Sequence, residues 1–227
     1  MLPVELAYKH PMPRRFQYSL RALLVAMTAI GIWLGLQVNR VIRQREAIAK
    51  IAKLTDGNAL CLYRYEWDED RDCRKNPYAP VEPGPAWLRN LLGIDFLDPI
   101  VAIDVQGCEL TDSDLVWLLD RLPSISYLEL RWTLVGNAGV SKLAALPNLK
   151  TLRVAHTKID DLGLRDIGKI KSLRTLDLCG TGVTDDGLRS LSGLTELRTL
   201  YVDSTKITDD GINELKKSLP HIRKGRY

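Results

Sequence analysis

Residues 176–188 read LDLCGTGVTDDGL. Leu176-Asp177-Leu178 alternates apolar, polar, apolar, the pattern of a strand that buries one face. Thr181 follows, and then Thr184-Asp185-Asp186-Gly187-Leu188 offers a helix start, because a Thr or Asp oxygen can accept from the free N–H groups of a first turn. Apolar residues continue at Leu191 and Leu194 with helical spacing. The strand half recurs as Leu128-Glu129-Leu130 with Thr133, Leu152-Arg153-Val154 with Thr157, and Leu200-Tyr201-Val202 with Thr205, each 24 residues from the next copy. An earlier copy, Ile103-Asp104-Val105 with Cys108 in place of Thr, stands 25 residues before Leu128. The helix half recurs as Thr111-Asp112, Asp160-Asp161-Leu162-Gly163-Leu164 and Thr208-Asp209-Asp210-Gly211-Ile212. Self-similarity at this period marks a stacked array.

One such unit cannot bury its own apolar face, so neighbours must stack: a parallel sheet on the concave side and helices on the convex side. Strands are predicted near 102–106, 127–131, 151–155, 175–179 and 199–203, with Leu128, Leu152, Leu176 and Leu200 in one inward row. Repeat two departs from the pattern. Its Arg131-Trp132-Thr133-Leu134-Val135-Gly136-Asn137 lacks the Thr-Asp pair, which leaves its helix cap open.

These residues resemble the leucine-rich-repeat family over roughly 100–222. The T-x-[IV]-T-D-x-G-L form is similar to that of bacterial membrane-anchored repeat proteins, and the same grammar with Cys for Thr occurs in F-box adaptor proteins. The layout of RRFQYSLRALL, a charged segment, PGPAWLRNLLG and then repeats also resembles the bacterial group. The resemblance implies an α/β leucine-rich-repeat solenoid that acts as an interaction module. It supplies no substrate.

Outward from the repeats, residues 58–99 read as an N-terminal cap over the first unit. Leu60–Trp67 alternates like a strand able to join the sheet edge. Pro77, Pro80, Pro83 and Pro85 make a loop, and Trp87-Leu88 with Leu91-Leu92 suggests a short helix. Earlier still, Leu20–Val38 is predominantly apolar, with Arg21 its only charged residue. As a helix it spans about 28 Å, close to the hydrocarbon core of a bilayer. Phe16, Tyr18 and Trp33 stand where aromatic belts form. A buried core helix and a cleavable signal peptide are the rival readings, and no A-x-A site follows closely. Residues 39–57 read as a helical stalk stopped by Gly57. A fragment beginning near Thr55 is therefore expected to be soluble. The expected division is a basic tail (1–19), a transmembrane helix (20–38), the stalk (39–57), the cap (58–99) and about five repeats (100–227).

Charge follows the same division. Residues 1–54 hold nine basic groups against two acids, a net +7, so of the total +4 the remaining 173 residues carry −3. A nucleic-acid surface needs the opposite sign, and no nucleic-acid partner is expected. Arginines flank the apolar stretch on both sides, which ties the positive-inside comparison. The short basic tail favours a cytoplasmic N-terminus, placing the repeats outside the cytoplasm in a single-pass cell-membrane protein.

Catalytic chemistry is not legible. His10, His156 and His221 show no nucleophile spacing, phosphate-binding Gly-rich loops are missing, and no cofactor is expected. Asp68, Asp70 and Asp72 imitate a calcium loop, but Cys73 and Ala79 stand where Gly and Glu are needed. No metal is expected there, and the repeated T-D-D-G is read as helix capping alone. The same three aspartates would serve the alternative reading of a small hydrolase in the cap; a structural envelope protein is the other alternative. Cys108 and Cys179, three strands apart, stand about 14 Å from one another, beyond disulfide reach. Cys61 and Cys73 flank the cap strand and can meet, and a bridge there requires the domain to lie outside.

The candidate partner surface has two parts. Outward strand positions form columns that include Tyr127, then Glu129, Arg153, Asp177 and Tyr201, then Arg131 and Asp203. This concave face reads either as a solvated, self-paired ladder or as a peptide-binding face anchored by Tyr127 and Tyr201. The second part is Trp132 with Leu134. Other repeats place Gly107, His156, Gly180 or Ser204 at the first position and Glu109, Lys158, Gly182 or Lys206 at the second. Two large apolar groups on this rim are either covered by the proline-rich loop, through Tyr78 or Pro80, or bind a partner.

Overall fold

The computed structural model describes residues 14–57, 59–63, 67–68, 73–74, 87, 90–91 and 98–225; for 14–20, 60–63, 67–68 and 73–74 only the backbone is described. The chain forms two compact units, Met1–Arg40 and Val41–Tyr227. A single helix, α1 (Arg14–Leu54), contributes to both.

Within the first unit, the apolar stretch of α1 is long enough to cross a membrane, and none of its side chains is buried. Leu23, Val25, Ile32 and Leu36 are more than half exposed. A buried core helix does not look like this, so that reading is overturned.

In the second unit, β1 (Leu60–Tyr63) is followed by the hairpin β2 (Trp67–Asp68) and β3 (Cys73–Arg74), and then by β4 (Ile100–Asp104). Each later strand alternates with a helix: α2 (Asp112–Leu119), β5 (Tyr127–Glu129), α3 (Asn137–Val140), β6 (Thr151–Arg153), α4 (Asp161–Ile167), β7 (Thr175–Asp177), α5 (Asp185–Leu188), β8 (Thr199–Tyr201), α6 (Asp209–Ser218) and β9 (Arg223–Lys224). The main sheet has the order β1-β4-β5-β6-β7-β8-β9. Its strands are parallel except β1, which pairs antiparallel with β4 at one edge.

Register puts Ile103, Leu128, Leu152, Leu176 and Leu200 in one inward row, all at most 2% exposed. Leu130, Val154 and Leu178 form the next row and are fully buried. Leu164, Leu188 and Ile212 close over them from the helices. Burying one such side chain stabilises by about 1.5–3 kcal/mol, so each turn of the stack depends on its neighbours.

After each second-row residue a hydroxyl caps the strand end. Thr133, Thr157, Thr181 and Thr205 donate to the carbonyls of Leu130, Val154, Leu178 and Val202 at 2.5–2.8 Å. The Cys108 thiol makes the same bond to Val105 O at 3.0 Å. This explains why Cys can stand for Thr: both carry a short side chain ending in a donor.

The T-D-x-G-L half does more than cap helices, which corrects the capping-only reading. Thr184 and Thr208 do cap α5 and α6, accepting from Asp186 N and Gly211 N. The Asp after the cap instead reaches into the next repeat. Asp161 accepts from Thr184 N at 2.8 Å and Thr184 Oγ1 at 2.7 Å, and Asp185 does the same to Thr208 at 2.8 and 2.7 Å. Repeat two, whose cap residue Gly136 lacks a side-chain bond, is held by the same device: Asp112 Oδ1 accepts from Gly136 N at 2.6 Å. Asn137 then accepts from Asp160 N and Gly163 N, both at 3.1 Å. The glycine of the motif clears the path. A Cβ on Gly163, Gly187 or Gly211 would collide with Asn137, Asp161 or Asp185 of the preceding repeat.

The segment expected to be a stalk is helical to Leu54 and also closes the stack. Gln44, Ala47 and Ile51 are buried, and Ile48 and Leu54 pack on the core. Lys50 pairs with Asp114 at 2.7 Å, and Glu46 with Arg121 at 3.3 Å. Trp117 receives both cations on its ring, Arg121 at 3.7 Å and Lys50 at 4.6 Å from the centroid. The helix ends with Asp56 and Gly57 at φ 48° and 80°, and Gly57 N donates back to Ala52 O at 2.9 Å. A fragment starting at Thr55 would therefore lack the buried Gln44, Ala47 and Ile51. Trp87 and Leu91, placed in the cap by sequence, are 66% and 72% exposed.

Candidate functional site

The strands bring Asp104, Glu129, Arg153, Asp177 and Tyr201 into one register row. The row is not a solvated ladder: Glu129 and Asp177 are 0% exposed. Glu129 Oε1 accepts from Arg131 Nε at 2.8 Å and Arg131 N at 3.3 Å, and its Oε2 accepts from Tyr127 OH at 3.2 Å. Arg153 Nη1 stands 3.6 Å from the same Oε2 and its guanidinium 5.6 Å from the Tyr127 ring. Burial nevertheless outweighs both arginines and pushes the Glu129 carboxyl above its ordinary value. Asp177 Oδ1 accepts from Cys179 N at 3.1 Å.

The two expected anchors do not protrude. Tyr127 is buried, and the half-buried Tyr201 ring lies against Gly225, where a Cβ would collide with it. Of the nine candidate residues, Tyr127, Glu129 and Asp177 are buried, and Arg131, Arg153 and Tyr201 are half-buried. Trp132, Leu134 and Asp203 are exposed.

The rim differs. Trp132 is 61% and Leu134 46% exposed. The loop expected to fold over them, through Tyr78 or Pro80, lies outside the described residues. The position of Trp132 is left-handed in every repeat: φ is 73° at Gly107, 58° at Trp132, 55° at His156, 64° at Gly180 and 57° at Ser204. A residue with a Cβ pays roughly 1–2 kcal/mol for this conformation, so the large ring at Trp132 is held against a local cost. Trp132 stacks on His156, with ring centroids 3.7 Å apart and planes within 10°. The His156 ring in turn lies over Gly180, where a Cβ would collide with it. The sequence reading missed His156 and Gly180 as parts of this feature. The glycines at two of five column positions were the available signal for a left-handed backbone.

Both described thiols are held above their ordinary value. Burial raises the Cys108 thiol, and burial followed by the Asp177 carboxylate pushes Cys179 up to about 12. Both are unbridged. Among the described residues no group of three or more His, Cys, Asp or Glu is placed to hold a metal. The Cys61–Cys73 bridge that the sequence leaves open, and the hydrolase or calcium roles of Asp68, Asp70 and Asp72, fall on side chains outside the described residues.

The family model described as Leucine Rich repeat matches residues 145–168 and 169–192. The repeats are leucine-rich repeats. Leucine-rich repeats are generally protein-interaction modules. Among solved structures, the chain is similar to an internalin from Listeria monocytogenes (24% identity, TM-score 0.40), over 48% of this chain and 30% of that one. It is similar over 48% to a leucine-rich-repeat protein of Leptospira interrogans (23% identity, TM-score 0.39, 27% of that chain). It is also similar over 75% to the leucine-rich-repeat ectodomain of the Arabidopsis receptor kinase HAESA, solved with a peptide hormone ligand (15% identity, TM-score 0.40, 31% of that chain). The chain thus spans about three tenths of the length of these structures. No curated protein matches the sequence.

Proposed function

We propose that this chain is a single-pass membrane protein whose leucine-rich repeats bind a protein or peptide partner through the Trp132–Leu134 rim, without catalysis of its own. The carrying observation is the exposure of these two side chains. A bulky apolar pair kept at 61% and 46% exposure, one of them on a costly left-handed backbone, is not needed to fold a repeat that elsewhere uses Gly, His or Ser at the first position and Glu, Lys or Gly at the second. Arg131, beside the pair, supplies a polar margin, and Asp203 marks the far end of the same sheet edge. The buried Glu129, Asp177 and Tyr127 set the shape of the concave face and hold Arg131 and Arg153 in place, rather than touching a partner. Residues 20–38 supply the membrane anchor, and the short basic tail keeps the N-terminus in the cytoplasm with the repeats outside.

The surface is tested in cells with a photo-crosslinking amino acid at Leu134. A discrete adduct is expected that disappears in the Trp132→Ala background and does not form from Lys169 on the convex side. Equal labelling from both positions overturns the rim assignment. The anchor is tested by carbonate extraction: the full-length chain stays with membranes, and its recovery in the soluble fraction with an intact N-terminus overturns the anchor. Protease added to intact cells should digest the repeats; protection would reverse the orientation.

A further inference from the structure

A cavity of about 590 Å³ lies beside the N-terminal end of the rim column, between the turn that ends α1 and the residues that follow β4. Its lining carries three acids, Asp56, Asp104 and Glu109, against one cation, Lys53. Gly107 belongs to the same lining, and Gly107 is also the first position of the column that continues through Trp132, His156 and Gly180. The cavity and the ring ladder therefore meet at one residue.

The ladder has a direction. His156 leans over Gly180, the next position, and Trp132 stacks on His156. The opposite face of the indole looks back toward Gly107. Among the described residues no side chain fills this step, and a Cβ built on Gly107 meets nothing within 4 Å. The stack thus has an unfilled step, with an indole face on one side and a net negative cavity opening from it.

The chemistry of that step selects its occupant. An indole face attracts a cation, and a flat one can also stack on it. Carboxylates pair with a guanidinium in fork geometry. A lysine would satisfy the charge but has no plane to stack, and a neutral aromatic ring would stack but give Glu109 no cation. Asp104 already accepts from Gln106 N at 3.2 Å and Gln106 Nε2 at 3.4 Å, bonds that an incoming guanidinium would share. We infer that the unfilled step takes an arginine side chain from a peptide or protein partner, its guanidinium on the free face of Trp132 and its N–H groups directed to Asp104 and Glu109. This rests on the partner-binding reading of the rim and specifies which partner group the rim recognises.

The test uses the full-length protein in detergent micelles, with hexa-arginine and hexa-lysine peptides as probes of equal charge, titrated calorimetrically at low salt. Hexa-arginine is expected to bind at least about fivefold tighter, roughly 1 kcal/mol of stacking preference. Trp132→Ala should remove the preference while leaving the circular dichroism spectrum unchanged. Gly107→His should also remove it by filling the step, since a histidine already adopts this backbone at position 156. Glu109→Gln should weaken both peptides and keep the preference. Equal binding of the two peptides, or a preference that survives Trp132→Ala, overturns the arginine assignment. If crosslinking from Leu134 is intact in that case, the rim still binds a partner and only its arginine chemistry is wrong.

Discussion

Asp185 and Thr208 belong to adjacent repeats, and one carboxylate ties them twice: its Oδ1 accepts from Thr208 N at 2.8 Å and its Oδ2 from Thr208 Oγ1 at 2.7 Å. Asp161 repeats the arrangement on Thr184 one unit earlier. The helix-start aspartate is thus a bond between repeats, and the stack is laced along its helix starts as well as glued through its core.

Removing such a bond should weaken coupling between units. Asp161→Ala is expected to cost about 1.5–3 kcal/mol, the range for charge-assisted hydrogen bonds to a partly buried carboxylate. The neighbouring Asp186 makes an exposed ion pair with Arg189, and Asp186→Ala should leave stability unchanged within measurement. Urea unfolding of a fragment beginning at Val41 compares them. Equal effects would show that the lateral bonds add nothing.

Two glycines with the same left-handed backbone should respond differently to alanine. At Gly107 only the backbone resists, for about 1 kcal/mol. At Gly180 the new Cβ also meets the His156 ring, so Gly180→Ala should cost more and disturb the Trp132 stack. Urea midpoints give the first outcome, and a change in Trp132 emission the second. Similar midpoints would mean that the His156 ring moves aside freely.

The end of α1 should be indispensable to the repeat unit. A fragment from Val41 keeps Gln44, Ala47 and Ile51, all buried, and should unfold cooperatively. A fragment from Thr55 loses them and exposes the edge of the core, with a lower urea midpoint and a tendency to aggregate. Identical unfolding of the two fragments would remove the helix from the fold's essential parts.

Acid should act on two carboxyls in opposite directions. The Lys50 ammonium, and next the Thr111 hydroxyl, hold Asp114 below its ordinary value. A depressed folded value means stability that is present above the unfolded pKa and lost as pH falls through the folded one. Asp114→Asn should therefore destabilise at pH 7 and have little effect in strong acid. Burial raises Glu129, so the stability linked to its proton is present below the unfolded value and lost as pH rises through the folded one. Glu129→Gln should be neutral or stabilising at pH 7. Urea midpoints from pH 3 to 8 test both signs, and the same sign for both substitutions would contradict this account.

Much of this architecture is written in local pattern. The 24-residue spacing of Leu128, Leu152, Leu176 and Leu200 requires stacked parallel strands, because no unit can bury those side chains alone. The strand-end threonines, and Cys108 in their place, follow from one repeated carbonyl. The length and apolarity of 20–38 are likewise properties of the sequence. Tertiary structure decided the rest, because the deciding partners are far apart in the chain. Asp161 is a lateral bond only because Thr184 arrives beside it. Residues 41–54 close the stack only because the face bearing Gln44, Ala47 and Ile51 meets the first repeat. Glu129 and Asp177 alternate with apolar residues as solvent-facing positions do, yet three-dimensional packing takes them out of water. Trp132 reads as either covered or free until its surroundings are placed, since exposure belongs to the assembled surface and not to a residue or its spacing.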